Sequence, residues 1–132
     1  MQNYQAIYTA LDTPETVAAN GAVPIGAIVR KRGCGINVNG NGLAIFPCGF
    51  YAVDVNINLA PTAAGAITAT LLQDGVKVPG AVATQTAAAA GDAVQLVIPA
   101  AVRIACNSMS TLTVVISASA TVNSASMRVI RE

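Results

Sequence analysis

The stretch CGFYAVDVNINLAP, residues 48 to 61, alternates its side-chain character from one end to the other, and nothing else in the chain restricts the fold as strongly. A side-chain period of two belongs to a β-strand with one buried face. Tyr51, Val53, Val55, Ile57 and Leu59 form the inward row, and Phe50, Ala52, Asp54, Asn56 and Asn58 form the outward row. A glycine and a proline close the two ends. The rest of the chain reads the same way, because no long segment shows 3.6-residue periodicity with helix caps.

Turn chemistry divides the remainder into strands. Gln5 to Ala10 reads as an opening strand ended by Asp12-Thr13-Pro14, and Val17 to Ala19 precedes Asn20-Gly21. Ile25 to Arg30 follows Pro24. The run INVNGNGLAIF reads as a hairpin, since Asn-Gly supplies the positive φ angles of a tight primed turn. Asp74-Gly75 signals a second hairpin, leading to Val76-Lys77-Val78 and a breaker at Pro79-Gly80. The segment AVATQTAAAAGDAVQLVIPA is ambiguous, because its run of alanines favours helix locally. The flanking threonines and the alternating Val94, Leu96 and Ile98 make it strand, turn, strand. Thr111 to Ala118 and Ala125 to Arg131 close the chain. Eight to ten short strands at this spacing give an all-β sandwich or barrel.

With 132 residues the chain makes one domain, with a radius of gyration of about 14 Å. Charged residues are 10% of the composition, against roughly 25% in an average soluble domain. A surface so poor in charge implies that part of it meets protein. The net charge of +1 argues against a broad electrostatic grip on nucleic acid or anionic lipid. LVIPAAVRIAC is too short to span a membrane and is broken by Pro99 and Arg103. MQNYQAIYTALDTPET has neither a basic n-region nor an apolar h-region, so no secretory signal is expected there.

Catalytic groups are few. Without histidine, the usual Ser and Cys triads and the Cys/His zinc sites are unavailable. Of the six acidic residues, Asp74 and Asp92 sit beside glycines in turns, and Asp54 alone lies within a strand, on its polar row. No carboxylate pair, phosphate-binding glycine fingerprint or calcium loop is visible. The expectation is therefore no enzyme, no cofactor, no metal and no small-molecule substrate. Cys34, Cys48 and Cys106 read as free, small, buried hydrophobes, with a Cys34–Cys48 bridge as the alternative. Arg30-Lys31-Arg32 is the single dense charge: either a solvated strand end, or a contact for an acidic patch or a phosphate.

The order of these features resembles a tumour-necrosis-factor-like, complement-type jelly roll of the small bacterial and phage kind. It is similar to the tip domain of collagen-like spore-surface glycoproteins. The resemblance rests on VAANGAVPIGAIVRKRG, on Ile45-Phe46-Pro47 with Gly49-Phe50-Tyr51, on TATLLQDGVKVPGAVATQT and on LTVVISASATVNSASMRVIRE. It implies a two-sheet antiparallel sandwich that packs as a homotrimer. Residues 17 to 132 would be the jelly roll, and residues 1 to 16 an N-terminal arm or first strand. The absence of a Gly-X-Y stalk weakens a spore-filament role. The expected function is then structural: a phage capsid decoration or head-fibre protein, made in the host cytoplasm and sited on the virion, with the major capsid protein as partner. A trimeric adhesion module for a glycan or host surface, or a spore-surface component, are the alternatives. Phe50, Met127 and Val129 are the expected trimer contacts. Tyr4, Tyr8, Arg30, Lys31 and Arg32 are the expected particle contacts. Both faces of Thr68 to Leu72 and Thr113 to Ile116 are apolar, so which sheet meets the threefold axis stays open.

Overall fold

The computed structural model describes residues 5–106 and 109–131. They form eleven strands: β1 (Ala6–Leu11), β2 (Glu15–Val17), β3 (Ala27–Arg32), β4 (Ile36–Asn39), β5 (Gly42–Ile45), β6 (Gly49–Pro61), β7 (Gly65–Gln73), β8 (Val76–Ala87), β9 (Val94–Ile104), β10 (Ser110–Ile116) and β11 (Ala120–Arg131). Two antiparallel sheets face each other. One runs β3-β1-β11-β6-β9 with β2 paired to the start of β11, and the other runs β4-β5-β10-β7-β8. This is the expected jelly-roll sandwich, with one strand above the expected eight to ten.

The alternation in β6 sets the sandwich. Its inward row, Tyr51 to Leu59, is at most 3% exposed and faces Leu71, Leu112, Val114 and the rest of one continuous apolar core. Long ladders to β11 (Tyr51↔Arg131 through Pro61↔Ala120) and to β9 (Gly49↔Ile104 through Leu59↔Val94) lock its register. A slip of one residue would turn that whole row to water. Asp74 (φ 53°) and Gly75 (φ 82°) make the predicted primed turn between β7 and β8. Pro79-Gly80, expected to break the strand, instead forms a bulge inside β8. Thr70 pairs with Val82 while Leu72 pairs with Lys77, so the extra residues bow out between them. Proline is tolerated there because β8 is a sheet edge.

Of the two readings of residues 1 to 16, residues 6 to 11 take the strand: β1 lies inside the sheet between β3 and β11, with Ile7 opposite Val129 and 2% exposed. Other expectations are corrected. Met127 and Val129 do not face outward. Both are 0% exposed, because β11 turns that row inward beside Val55 and Val53. Nor are the three cysteines free, buried hydrophobes, and the alternative bridge from Cys34 to Cys48 does not form either. The disulfide joins Cys48 to Cys106, while Cys34 is a free, exposed thiol. Cys48 enters β6 and Cys106 leaves β9, and the paired ends Gly49↔Ile104 bring them together.

Candidate functional site

With the inward rows committed to the core, the candidate surface is the outer face of the six-stranded sheet. The register lays its side chains in rows that cross the strands. The central row is Arg30, Tyr8, Arg128, Asp54 and Pro99. Beside it run Arg32, Ala6, Ile130, Ala52 and Ala101. On the other side Ala10, Ser126, Asn56 and Val97 line up. The face is thus basic toward β3 and apolar toward β9.

Two shallow grooves follow these rows. One, of about 280 Å³, is lined by Ala6, Tyr8, Arg30, Arg32, Arg128 and Ile130. The second, of about 230 Å³, runs past Tyr8, Asp54, Asn56, Val97, Ser126 and Arg128. They meet at Tyr8 and Arg128. Arg128 Nη2 contacts Asp54 Oδ2 at 2.6 Å, with both side chains about half exposed. An ion pair so open to water contributes at most about 1 kcal/mol. Its effect is to hold the Arg128 guanidinium across the sheet. Around it Tyr8, Val97 and Ile130 remain exposed, Val97 by 53%.

The predicted basic run divides. Arg30 and Arg32 point outward beside Tyr8 and Ala6, whereas Lys31 lies opposite Ile7 and donates from Nζ to Asn37 Oδ1 on β4. Charges along β3 also protect an exposed sheet edge against pairing with other strands. Phe50 is outward as expected and 61% exposed, but it sits opposite Arg103 at the far end of the face. Tyr4 lies outside the described residues. Sequence reasoning missed Arg128 and Ile130. The signal was present in Met-Arg-Val-Ile, where a charged Arg128 between two apolar residues assigns its own row to solvent and theirs to the core.

Glu15 opens β2 opposite Val122, so Asp54 is not the one acid within a strand as expected, while Asp74 and Asp92 serve turns. Asp74 Oδ1 accepts from the Thr111 amide at 2.9 Å, and Asp92 Oδ2 accepts from the Ala89 amide at 3.1 Å. Tyr51 Oη donates to the Pro47 carbonyl at 2.7 Å and anchors the entry to β6. Burial pushes the Tyr51 phenol above its ordinary value, and the nearby Arg131 charge pulls in the opposite direction. Among the described residues no group of three or more His, Cys, Asp or Glu is placed to hold a metal ion.

No protein-family model matches the chain, and no curated protein sequence does. Solved structures match its fold closely. Eiger TNF from S. frugiperda superposes with a TM-score of 0.76 at 9% identity, over 98% of this chain and 91% of that one. The globular domain of zebrafish complement 1qA gives 0.69 at 7%, over 95% and 94%. PRD1 vertex protein P5 gives 0.62 at 11%, over 96% of both chains. The fold is therefore the jelly roll shared by TNF-like and complement 1q domains and by a vertex protein of phage PRD1.

Proposed function

We propose that this protein is a homotrimeric structural protein of a phage virion, a capsid decoration or head-fibre protein that acts through protein–protein contacts and catalyses nothing. The observation that carries the reading is the outer face of the six-stranded sheet, which exposes Tyr8, Val97 and Ile130 over a floor of small side chains. A lone sandwich gains nothing from wetting such a face, whereas a neighbouring subunit removes it from water at about 25 cal/mol per Å² of apolar area. A closed trimer joins two different patches of each copy, and a specific contact buries about 800 Å² per partner. That fits the 6636 Å² surface of this chain with room left for a particle contact.

Arg30 and Arg32, at the β3 edge, supply a cationic patch for an acidic region of the major capsid protein, and Phe50 an apolar contact at the far end of the face. The end-to-end likeness to PRD1 vertex protein P5 supports a virion site, since a domain of this fold occurs in that setting. Light scattering should give three times the 13.2 kDa chain mass at micromolar concentration, and the protein should co-sediment with virions of its phage. A stable monomer would remove the trimer, and virions without the protein would remove the particle role.

A further inference from the structure

The net charge of +1 is the remainder of two oppositely charged ends, and the register along the six-stranded sheet separates them. At the end where β6 starts, Arg103 lies opposite Phe50, Arg131 opposite Tyr51 and Arg32 opposite Ala6. Lys31 and Arg30 stand just behind Arg32, and Lys77 lines one cleft with Arg103. The seventh cation, Arg128, pairs with Asp54 in mid-sheet. Among the described residues Asp74 is the one acid at this end. At the end where β6 finishes, Glu15 lies opposite Val122, level with Leu59. Asp12 follows Leu11, which is level with Ala125 and Ile57. Asp92 sits in the loop before β9, next to the bond from the Gly91 amide to the Pro61 carbonyl. No lysine or arginine is at this end. Phe50 and Leu59 mark the separation, about 30 Å at about 3.3 Å per residue.

Apolar side chains divide the same way. The chain's two phenylalanines, Phe46 and Phe50, are 54% and 61% exposed at the cationic end. Met109, also exposed, is the next position beyond the Ser110↔Ile45 pair and so faces Phe46 across the strands. The acidic end instead exposes small residues, Ala63 and Ala64 after β6 and Ala88 to Ala90 after β8. Bulky and cationic at one end, small and anionic at the other, the two surfaces complement each other. Their order across the sheet agrees. β9 has Asp92 ahead of its start and Arg103 near its finish, while β1 has Arg32 beside its start and Asp12 after its finish.

We infer that copies of this protein stack head to tail along the strand direction, the cationic end of one on the acidic end of the next. Translation of a second copy by its own length sets Arg103 over Asp92 and Arg32 over Asp12. It also sets Phe50, at the start of β6, over the Ala63-Ala64 loop at its finish. The contact joins two different surfaces and does not close on itself, so it propagates into a filament. Exposed ion pairs are individually weak, so charge selects the direction and register while the phenylalanines supply the apolar burial. A single copy and a closed trimer both carry these ends, and the inference stands without the proposed particle role.

Sedimentation velocity and light scattering on the full chain test it. At about 10 mM salt, where charges are felt over about 30 Å, the mean mass should climb steadily with protein concentration in steps of one base unit. At about 150 mM, where that range is about 8 Å, the apparent association constant should fall about tenfold or more. The base unit is one chain or three, so a failed trimer alters the step and leaves the stacking intact. Arg32→Glu with Arg103→Glu reverses the charges that face Asp12 and Asp92, and Asp12→Lys with Asp92→Lys reverses those that face Arg32 and Arg103. Each protein, its fold checked by far-UV circular dichroism, should stay at the base unit at low salt. Mixing the two in equal amounts should restore growth, because every contact then joins opposite charges again. A parent mass indifferent to salt, growth that stops at two units, either variant stacking alone, or a folded pair that stays apart on mixing would each overturn the inference. So would a parent that stays at the base unit yet binds poly-glutamate, since its cationic end would then serve another acidic partner.

Discussion

Replacing Met127 with alanine distinguishes a core position from a subunit contact. Met127 is fully buried on β11, with Thr9 of β1 and Val55 of β6 as its flanking partners in register. Removing its side chain beyond Cβ takes apolar area out of the sandwich and leaves a cavity between two sheets that cannot close over it. The expected loss is about 3 kcal/mol. With a urea dependence of about 1.5 kcal/mol per molar, the unfolding midpoint should fall by about 2 M. The assay is urea unfolding by far-UV circular dichroism at several protein concentrations, with light scattering on the same samples. Assembly raises apparent stability with concentration, and the substituted protein should keep that dependence and the mass of the parent. Ile130→Ala, one position class away on the outer row and 39% exposed, should cost less than about 1 kcal/mol. An unchanged midpoint with a reduced mass for Met127→Ala would refute the placement of this row in the core.

Four further outcomes follow from named contacts. Tyr8→Glu with Val97→Arg should leave the monomer folded but prevent self-association in sedimentation velocity, since both residues lie on the proposed contact face. Gly26→Ala should lose about 3 kcal/mol in thermal or chemical unfolding. Gly26 has φ +82° and a Cβ there would meet the Ala10 carbonyl at 2.0 Å, so relief requires moving β1 or β3. Tyr51→Phe should lose about 1 kcal/mol at neutral pH with the bond to Pro47. Because burial raises the Tyr51 pKa above 10.0, the unfolded chain ionises first on going alkaline. The associated stability is whole below pH 10.0 and declines as the pH rises through the folded value, a slope that Tyr51→Phe should remove. In a Cys34→Ser background, Cys106→Ser should lower stability by about 4 kcal/mol, the chain-entropy value for a bridge with a sequence separation of 58. A change below about 1 kcal/mol in urea unfolding would show that this bridge does not constrain the unfolded chain.

Local periodicity carried most of the fold. The two rows of β6, the hairpins at Asn39–Gly42 and at Asp74-Gly75, and the strand-turn-strand reading of residues 81 to 100 depend on side-chain period and on φ preferences, both of which act between near neighbours. The errors arose where only distant chain could decide. Met127 and Val129 read as outward because no local pattern shows that β1 and β6 flank β11. Pro79-Gly80 reads locally as an end, yet the ladder resumes beyond it because Val78 and Ala81 both reach the core.

The sequence by itself determined that this is an all-β chain, which row of β6 is buried, and that charged residues are 10% of the composition. Those properties follow from the two-residue period of a strand and from residue counts. Tertiary structure alone decided that β1 belongs inside a sheet, that Met127 and Val129 are core while Arg128 and Ile130 are surface, and that Tyr8, Arg128 and Asp54 share one row. It also decided which two of three cysteines meet. The reason is common to all of these: antiparallel register joins residues up to 124 positions apart, as Ala6 and Ile130 are, and no local pattern encodes which strand will lie alongside.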